Sequence, residues 1–264
     1  MLVGSVAAAA VAACGGGTAP AVTAPETIPY GDDPNQVADL WRPAGDGPHP
    51  VVVLVHGGFW RAQYDRTLMT DLATDLVTHG WAAWNIEYRR VGQVGGGWPG
   101  TFDDVAAAAD ALAGVDGLDL QRVVAAGHSA GGHLALWLAG RDQPAVALAG
   151  AVSQAGVADL RLAAERRTGG SAVADLLGTT SDDERFAACS PIEQLPFGIP
   201  TLCAHGRQDA NVPIEQSERF VAAATAAGDT SELFPFDGGH FEVLDPTHES
   251  WTRTLAFLDE VAGP

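Results

Sequence analysis

The chain has 264 residues, 47% of them hydrophobic, which suits one well-packed α/β-sized domain and excludes global disorder. Its 33 acidic and 14 basic side chains give a formal net charge of −19. That balance excludes nucleic acids and anionic membrane surfaces as partners, because both require a positive face.

Residues 1–13 are small and apolar, running from Met1 through an alanine tract to Ala13. The run is too short for a bilayer span, which needs about 20 apolar residues. It has the length of the apolar region of a signal peptide, although no Lys or Arg precedes it. Val11-Ala12-Ala13-Cys14 resembles a bacterial lipobox, which makes Cys14 the expected lipidation site and a possible membrane tether. The Gly/Thr/Ala/Pro-rich stretch 14–30 reads as a flexible linker. These features predict an exported cell-envelope lipoprotein, or a cytoplasmic protein if the segment is not a working signal. The folded domain is expected over residues 31–264.

Within that domain apolar runs alternate with helical patterns. Asn35 to Trp41 reads as an edge strand. Val51-Val52-Val53-Leu54-Val55 is a continuous apolar run, mostly β-branched, as expected of a strand buried on both faces. Further strands are expected at Trp81–Tyr88, Arg122–Ala126, Leu148–Ser153, Thr201–Ala204 and Glu232–Phe236. Helices are expected at Thr67–Thr78, Phe102–Ala113, Gly132–Gly140, Ile214–Ala227 and Ser250–Val261. This alternation predicts an α/β fold: a mostly parallel central sheet with helices on both faces. Residues 158–196 break the rhythm with short helical pieces. They read as a small helical cap inserted between two strands, or as a surface excursion with no role in substrate choice.

The stretch with the most chemical content is Gly127-His128-Ser129-Ala130-Gly131. G-x-S-x-G between a strand and a helix is a nucleophile elbow, in which the tight turn requires tiny neighbours and holds the serine oxygen out. A serine hydroxyl is a weak nucleophile that needs an adjacent base, itself oriented by a carboxylate. Asp209 and His240 follow the serine in the chain order such sites use, each just past a predicted strand. Of the 8 histidines, His128 is too strained within the elbow to serve as base, and His205 opens the Asp209 loop as a neighbour. Asp237 and Asp245 are rival carboxylates, but both flank His240 on its own loop. The expected catalytic set is therefore Ser129, Asp209 and His240.

Acyl transfer also needs donors for a developing oxyanion. His56-Gly57-Gly58-Phe59-Trp60 follows the first buried strand. Its glycines allow backbone N–H groups to approach a reacting oxygen, which assigns the N–H groups of Gly58 and Phe59, with that of Ala130, to the oxyanion hole. Of the 3 cysteines, Cys203 sits in an apolar run as an inert thiol, and no metal-ligand spacing is present. No metal and no cofactor are expected.

The His56–Trp60 and Gly127–Ala135 segments, with the Asp209 and His240 loops, resemble the α/β-hydrolase superfamily. Within it the H-G-G-x-W form is similar to kynurenine formamidases and to feruloyl-esterase-like carboxylesterases. The resemblance covers about Ala38 to the C-terminus. It implies a cofactor-free acyl-enzyme mechanism on a small-molecule ester, with N-formyl aryl amide hydrolysis as the alternative. A non-catalytic binding lipoprotein on the same fold is the alternative of another class. Trp60, Trp98 and Phe241 are expected either to line an apolar acyl or aryl pocket or to be ordinary core and loop aromatics. Acyl size, natural substrate and oligomeric state are not readable from the sequence.

Overall fold

The computed structural model describes residues 24–263. The signal-like segment 1–13, Cys14 and the first part of the 14–30 linker lie outside the described residues.

Among the described residues eight strands form one sheet: β1 Glu26–Pro29, β2 Val37–Trp41, β3 His49–Val55, β4 Ala82–Ile86, β5 Leu118–His128, β6 Gly150–Gln154, β7 Thr201–Gly206 and β8 Ser231–Phe236. Their spatial order is β1-β2-β4-β3-β5-β6-β7-β8. β1 and β2 pair antiparallel, as do β2 and β4, and every other neighbouring pair is parallel. The main helices are α1 Thr70–Thr78, α2 Gly100–Asp110, α3 Ala130–Ala139, α7 Glu215–Ala227 and α8 Glu249–Ala262. Between β6 and β7 stand three short helices, α4 Leu160–Glu165, α5 Ala172–Leu177 and α6 Glu184–Cys189, the insertion expected over 158–196. Among the described residues no helix is long and apolar enough to cross a membrane.

Side chains alternate between the two faces of a strand, so the apolar run of β3 serves two cores. Val51, Val53 and Val55 pack with Phe102 and Val105 of α2 and Leu134 of α3. Val52 and Leu54 pack with Leu72 and Leu76 of α1 and with Trp251 and Leu258 of α8. A third cluster joins Leu136 of α3 to Phe220 and Ala224 of α7. Cys189 and Cys203 are free and buried, and burial pushes each thiol up to about 12.

Two expectations need correction. The linker assigned to 14–30 is not wholly linker, because Glu26–Pro29 form β1 at the edge of the sheet. The Thr27 hydroxyl donates to Asp39 at 2.6 Å and the Tyr30 hydroxyl donates to the Glu87 carbonyl at 2.5 Å, so side chains fasten this segment where apolar burial is slight. In consequence β2 is an inner strand rather than an edge. Strand β5 is also longer than the apolar run 122–126, because its more polar start still pairs through buried Leu118 with His49 of β3.

A buried carboxylate secures this side of the sheet. Asp104 on α2 accepts from the Arg89 backbone N–H and Nε, both at 2.8 Å, from Arg89 Nη2 at 2.6 Å and from Gln36 Nε2 at 2.7 Å. Replacing Asp104→Ala should lower unfolding stability by about 2–3 kcal/mol, the scale of hydrogen bonds to a charged group, because the half-exposed guanidinium can be rehydrated. Urea denaturation measures this, and a loss well below 1 kcal/mol (by roughly that scale) would contradict the assignment.

Candidate active site

Strand β5 runs to His128 and α3 begins at Ala130, so Ser129 alone makes the turn. Its φ of 57° lies in the left-handed region, which costs a residue bearing a Cβ about 1–3 kcal/mol. The turn is so tight that a Cβ on Gly127 would overlap the Gly131 carbonyl, and a Cβ on Gly131 would overlap the Val55 carbonyl. The Ser129 N–H donates to the Gln154 carbonyl at 2.8 Å, which ties the turn to the end of β6.

Asp209 follows β7 and His240 follows β8, so both loops leave the same edge of the sheet as Ser129. His240 Nδ1 donates to Asp209 Oδ2 at 2.6 Å, and both side chains are buried. The other Asp209 oxygen accepts from the N–H groups of Asn211 and Val212, each at 2.8 Å. His205 Nε2 lies 3.3 Å from Oδ2, while its Nδ1 is 2.7 Å from the Ser217 hydroxyl. Burial raises the Asp209 pKa, but the hydrogen bonds from His205, His240 and the Val212 N–H outweigh it and hold the carboxyl well below the usual range. With Nδ1 carrying the proton toward Asp209, the His240 Nε2 lone pair is left to accept one. Among the described residues no hydrogen bond joins Ser129 to His240, but both line one cleft.

That cleft has a volume of about 50 Å³ and is lined by Gly58, Phe59, Tyr64, Leu68, His128, Ser129, Asn211, His240 and Phe241. A water needs roughly 10–15 Å³ by such a measure, so the space suits a group of a few heavy atoms. A larger cleft, about 540 Å³, opens at the N-terminal ends of β3 and β4 around Trp81 and Arg122, away from Ser129.

His56-Gly57-Gly58-Phe59-Trp60 leaves β3 and passes directly over the elbow. A Cβ on Gly57 would sit 2.7 Å from the His128 carbonyl and 3.0 Å from Ser129 Cβ, so only glycine permits this approach. Gly58, Phe59 and Trp60 all have positive φ, at 116°, 54° and 56°. The two non-glycine residues there each add roughly 1–3 kcal/mol of backbone strain. Within the described residues the N–H groups of Gly58, Phe59 and Ala130 donate no hydrogen bond, whereas the Gly58 carbonyl accepts from Arg61. Gly58 and Phe59 line the same cleft as Ser129, and Ala130 follows it at the start of α3.

Sequence reasoning missed the parts played by Glu87 and His128, while His56 reads from the sequence as structural, holding its loop. His56 lies under the loop with Nδ1 2.8 Å from the Gly57 carbonyl and Nε2 3.0 Å from Glu87 Oε1. Glu87, whose pKa burial raises, is brought below its ordinary value overall by the His56 hydrogen bond and by the His56 and Arg90 charges. His128 Nε2 donates to the His240 carbonyl at 2.9 Å. Burial and the nearby His240 push the His128 imidazole down to about 3, so it remains neutral. The elbow histidine thus holds the backbone of the His240 loop. For His56 and His128 the advance signal was a position inside a motif, and Glu87, a carboxylate in the strand-like run Trp81–Tyr88, gave none.

The pocket aromatics also need correction. Trp60 is 1% exposed, with its indole N–H donating to His133 Nδ1 at 3.2 Å, so it belongs to the core. Trp98 is 37% exposed and packs edge-on against Phe102, away from the cleft lining. Phe241 does line the cleft, 61% exposed at its mouth. None of the lining residues comes from the 158–196 insertion, which instead meets the site where Phe59 packs on Gly169.

A parallel sheet carrying a serine elbow, with an aspartate and a histidine on later strand ends, defines an α/β-hydrolase. The chain matches the BD-FAE family over residues 38–223, more than half its length, and belongs to that family. It is 30% identical to the esterase LipC of Mycobacterium tuberculosis over 88% of this chain and 64% of that one. It is 27% identical to the isoprenylcysteine α-carbonyl methylesterase ICME of Arabidopsis thaliana over 80% of this chain and 55% of the relative. The chain thus spans roughly half to two thirds of the length of these curated relatives. Among solved structures, a carbohydrate esterase from gut microbiota superposes with a TM-score of 0.79 at 20% identity, covering 93% of this chain and 99% of that one. An esterase from Thermogutta terrifontis superposes with a TM-score of 0.71 at 24% identity, covering 90% and 91%. These superpositions show the shared fold.

The depressed pKa of Asp209 has a consequence for stability. Its folded value lies below the unfolded value of about 3.9, so the carboxylate stabilises the fold above about pH 5 and loses that contribution as the pH falls below 4. The difference in urea midpoint between the wild type and Asp209→Asn should therefore shrink as the pH is lowered from about 5 to about 2. A difference that grows in wild type's favour on acidification would contradict this account.

Proposed function

We propose that the protein is a serine hydrolase that cleaves a small carboxylic ester through an acyl-enzyme. The observation that carries this reading is the 2.6 Å Asp209–His240 hydrogen bond beside a cleft that His240 shares with Ser129, Gly58 and Phe59. His240 Nε2 takes the Ser129 proton as Oγ attacks the ester carbonyl. The resulting oxyanion accepts hydrogen bonds from the N–H groups of Gly58, Phe59 and Ala130, a contribution worth about 3–4 kcal/mol for one such donor. His240 then gives its proton to the departing alkoxide. Water, deprotonated by the same imidazole, releases the acid and frees Ser129. Asp209 stays ionised throughout and stabilises the imidazolium.

The small cleft favours a short acyl group. The names of LipC and ICME, both esterases, support ester hydrolysis. The propionate- and butyrate-bound structures of the Thermogutta enzyme support short acyl groups on the same fold. Hydrolysis of an N-formyl aryl amide is the second reading, since a formyl group also fits the cleft. Rates on phenyl acetate and on N-formylkynurenine separate the two.

Ser129→Ala should reduce hydrolysis of p-nitrophenyl acetate by at least about 10⁴-fold, the scale seen when a serine triad loses its nucleophile. It should also abolish labelling by a fluorophosphonate. A variant that turns over the ester at the wild-type rate would refute the assignment, and a wild type that neither labels nor hydrolyses would favour a binding role.

A further inference from the structure

Trp60 and His133 belong to motifs that the catalytic scheme leaves without a task. They form one hydrogen-bonded chain through the core. The Trp60 indole N–H donates to His133 Nδ1 at 3.2 Å, and His133 Nε2 donates to the Cys189 carbonyl at 2.8 Å. The two rings meet edge-on, 5.1 Å between centroids at 85°. The chain joins three separate parts of the molecule: the loop after β3, the first turn of α3 behind Ser129, and the last residue of α6 in the insertion.

The direction of both bonds is fixed. A carbonyl can only accept, so His133 carries its proton on Nε2, and Nδ1 is left as the acceptor the indole requires. Burial pushes His133 down to about 4, so the ring stays neutral and keeps that acceptor.

This matters because the loop is not in a relaxed conformation. Phe59 and Trp60 are consecutive non-glycine residues with positive φ. Such backbone persists only where the surroundings over-determine it. Two backbone bonds clamp the segment from outside, Arg61 N–H to the Gly58 carbonyl at 3.0 Å and Val91 N–H to the Trp60 carbonyl at 2.8 Å. The buried indole is its anchor on the inside, and its N–H has one partner, His133.

We propose that His133 is a positioning residue for the oxyanion hole: by receiving the Trp60 indole N–H it holds the strained loop so that the Gly58 and Phe59 N–H groups face Ser129. The proposal rests on the serine-hydrolase reading above, and it adds that the insertion, through Cys189, sets the orientation of the ring that does the holding.

The test compares substitutions that keep or remove one bond at a time. Asn at position 133 places an amide oxygen near the Nδ1 position and keeps the indole's acceptor, whereas Gln reaches only the Nε2 position. Trp60→Phe removes the donor, and replacement of Trp60 by benzothienylalanine removes it while keeping the ring's size and shape. Trp60→Phe, the benzothienylalanine variant and His133→Gln should each lower kcat on p-nitrophenyl acetate by about ten- to a hundredfold, the cost of a misplaced catalytic group, with KM within about twofold. Affinity for a short alkyl boronic acid, whose tetrahedral adduct needs the same N–H groups, should fall in parallel. His133→Asn should retain most of kcat. Amide hydrogen exchange at Arg61 and Val91, which needs no turnover, should quicken in the first three variants and not in His133→Asn.

If the benzothienylalanine variant matches wild type in kcat, boronate affinity and exchange, the proposal is wrong while the hydrolase reading stands. Equal losses in His133→Asn and His133→Gln with both folded would also overturn it. Faster exchange in a protein whose wild type hydrolyses no ester would keep the positioning role and remove the hydrolase reading instead.

Discussion

The left-handed backbone of Ser129 is the constraint on which the site is built. It holds only because nothing larger than hydrogen occupies three neighbouring Cα positions. Gly127 lies against the Gly131 carbonyl, Gly131 against the Val55 and His56 carbonyls, and Gly57 against the His128 carbonyl. The end of β3, the end of β5 and the start of α3 are therefore packed backbone to backbone. Ser129, Ala130 and the start of the Gly57–Trp60 loop therefore stand on segments whose backbones touch. The strain, a few kcal/mol at Ser129, Phe59 and Trp60 together, is offset by burial of nearly the whole of α3 and by the two-sided core around β3.

Histidine supplies much of the polar scaffolding around those segments. His56 secures the loop to Glu87, His128 the His240 loop to the elbow, His133 Trp60 to the insertion, and His205 lies between Asp209, Val212 and Ser217. A neutral imidazole offers one donor and one acceptor at a fixed separation, so a buried ring can link two backbone segments without a net charge. His133 uses both nitrogens, linking Trp60 to the Cys189 carbonyl, whereas His128 uses Nε2 alone; burial drives both well below the ordinary histidine value. His240 differs in having one nitrogen held by an ionised carboxylate and the other facing a cleft. The surplus of acidic residues has no part in this arrangement, apart from Asp209 and Glu87.

The sequence made the framework legible where physics is local. A short valine-rich run bounded by turn residues reads as a doubly buried strand, and G-x-S-x-G between strand and helix reads as a tight elbow. The choice of Asp209 over Asp237 was legible too: Asp209 stands past its own strand and carries the His240 hydrogen bond, while Asp237 is exposed and faces Arg207. What could not be read depends on partners far along the chain. His128 meets a carbonyl 112 residues away and His133 one 56 residues away. Glu87 meets His56 across 31 residues. Strand β1 was hidden because Glu-Thr-Ile-Pro has no apolar alternation and is secured by the hydroxyls of Thr27 within it and Tyr30 just after it. Trp60 was misjudged because an aromatic beside a catalytic motif fits a core and a pocket equally well until burial is known.

The most direct measurement is rapid acid quenching of the protein with p-nitrophenyl acetate, followed by peptide mass mapping. The account predicts a burst of nitrophenolate matched by one acetyl group on the peptide containing Ser129, localised to its hydroxyl by fragmentation. Turnover with the acetyl group on another side chain, or with no covalent adduct under conditions where deacylation is slowed by low pH, would contradict it.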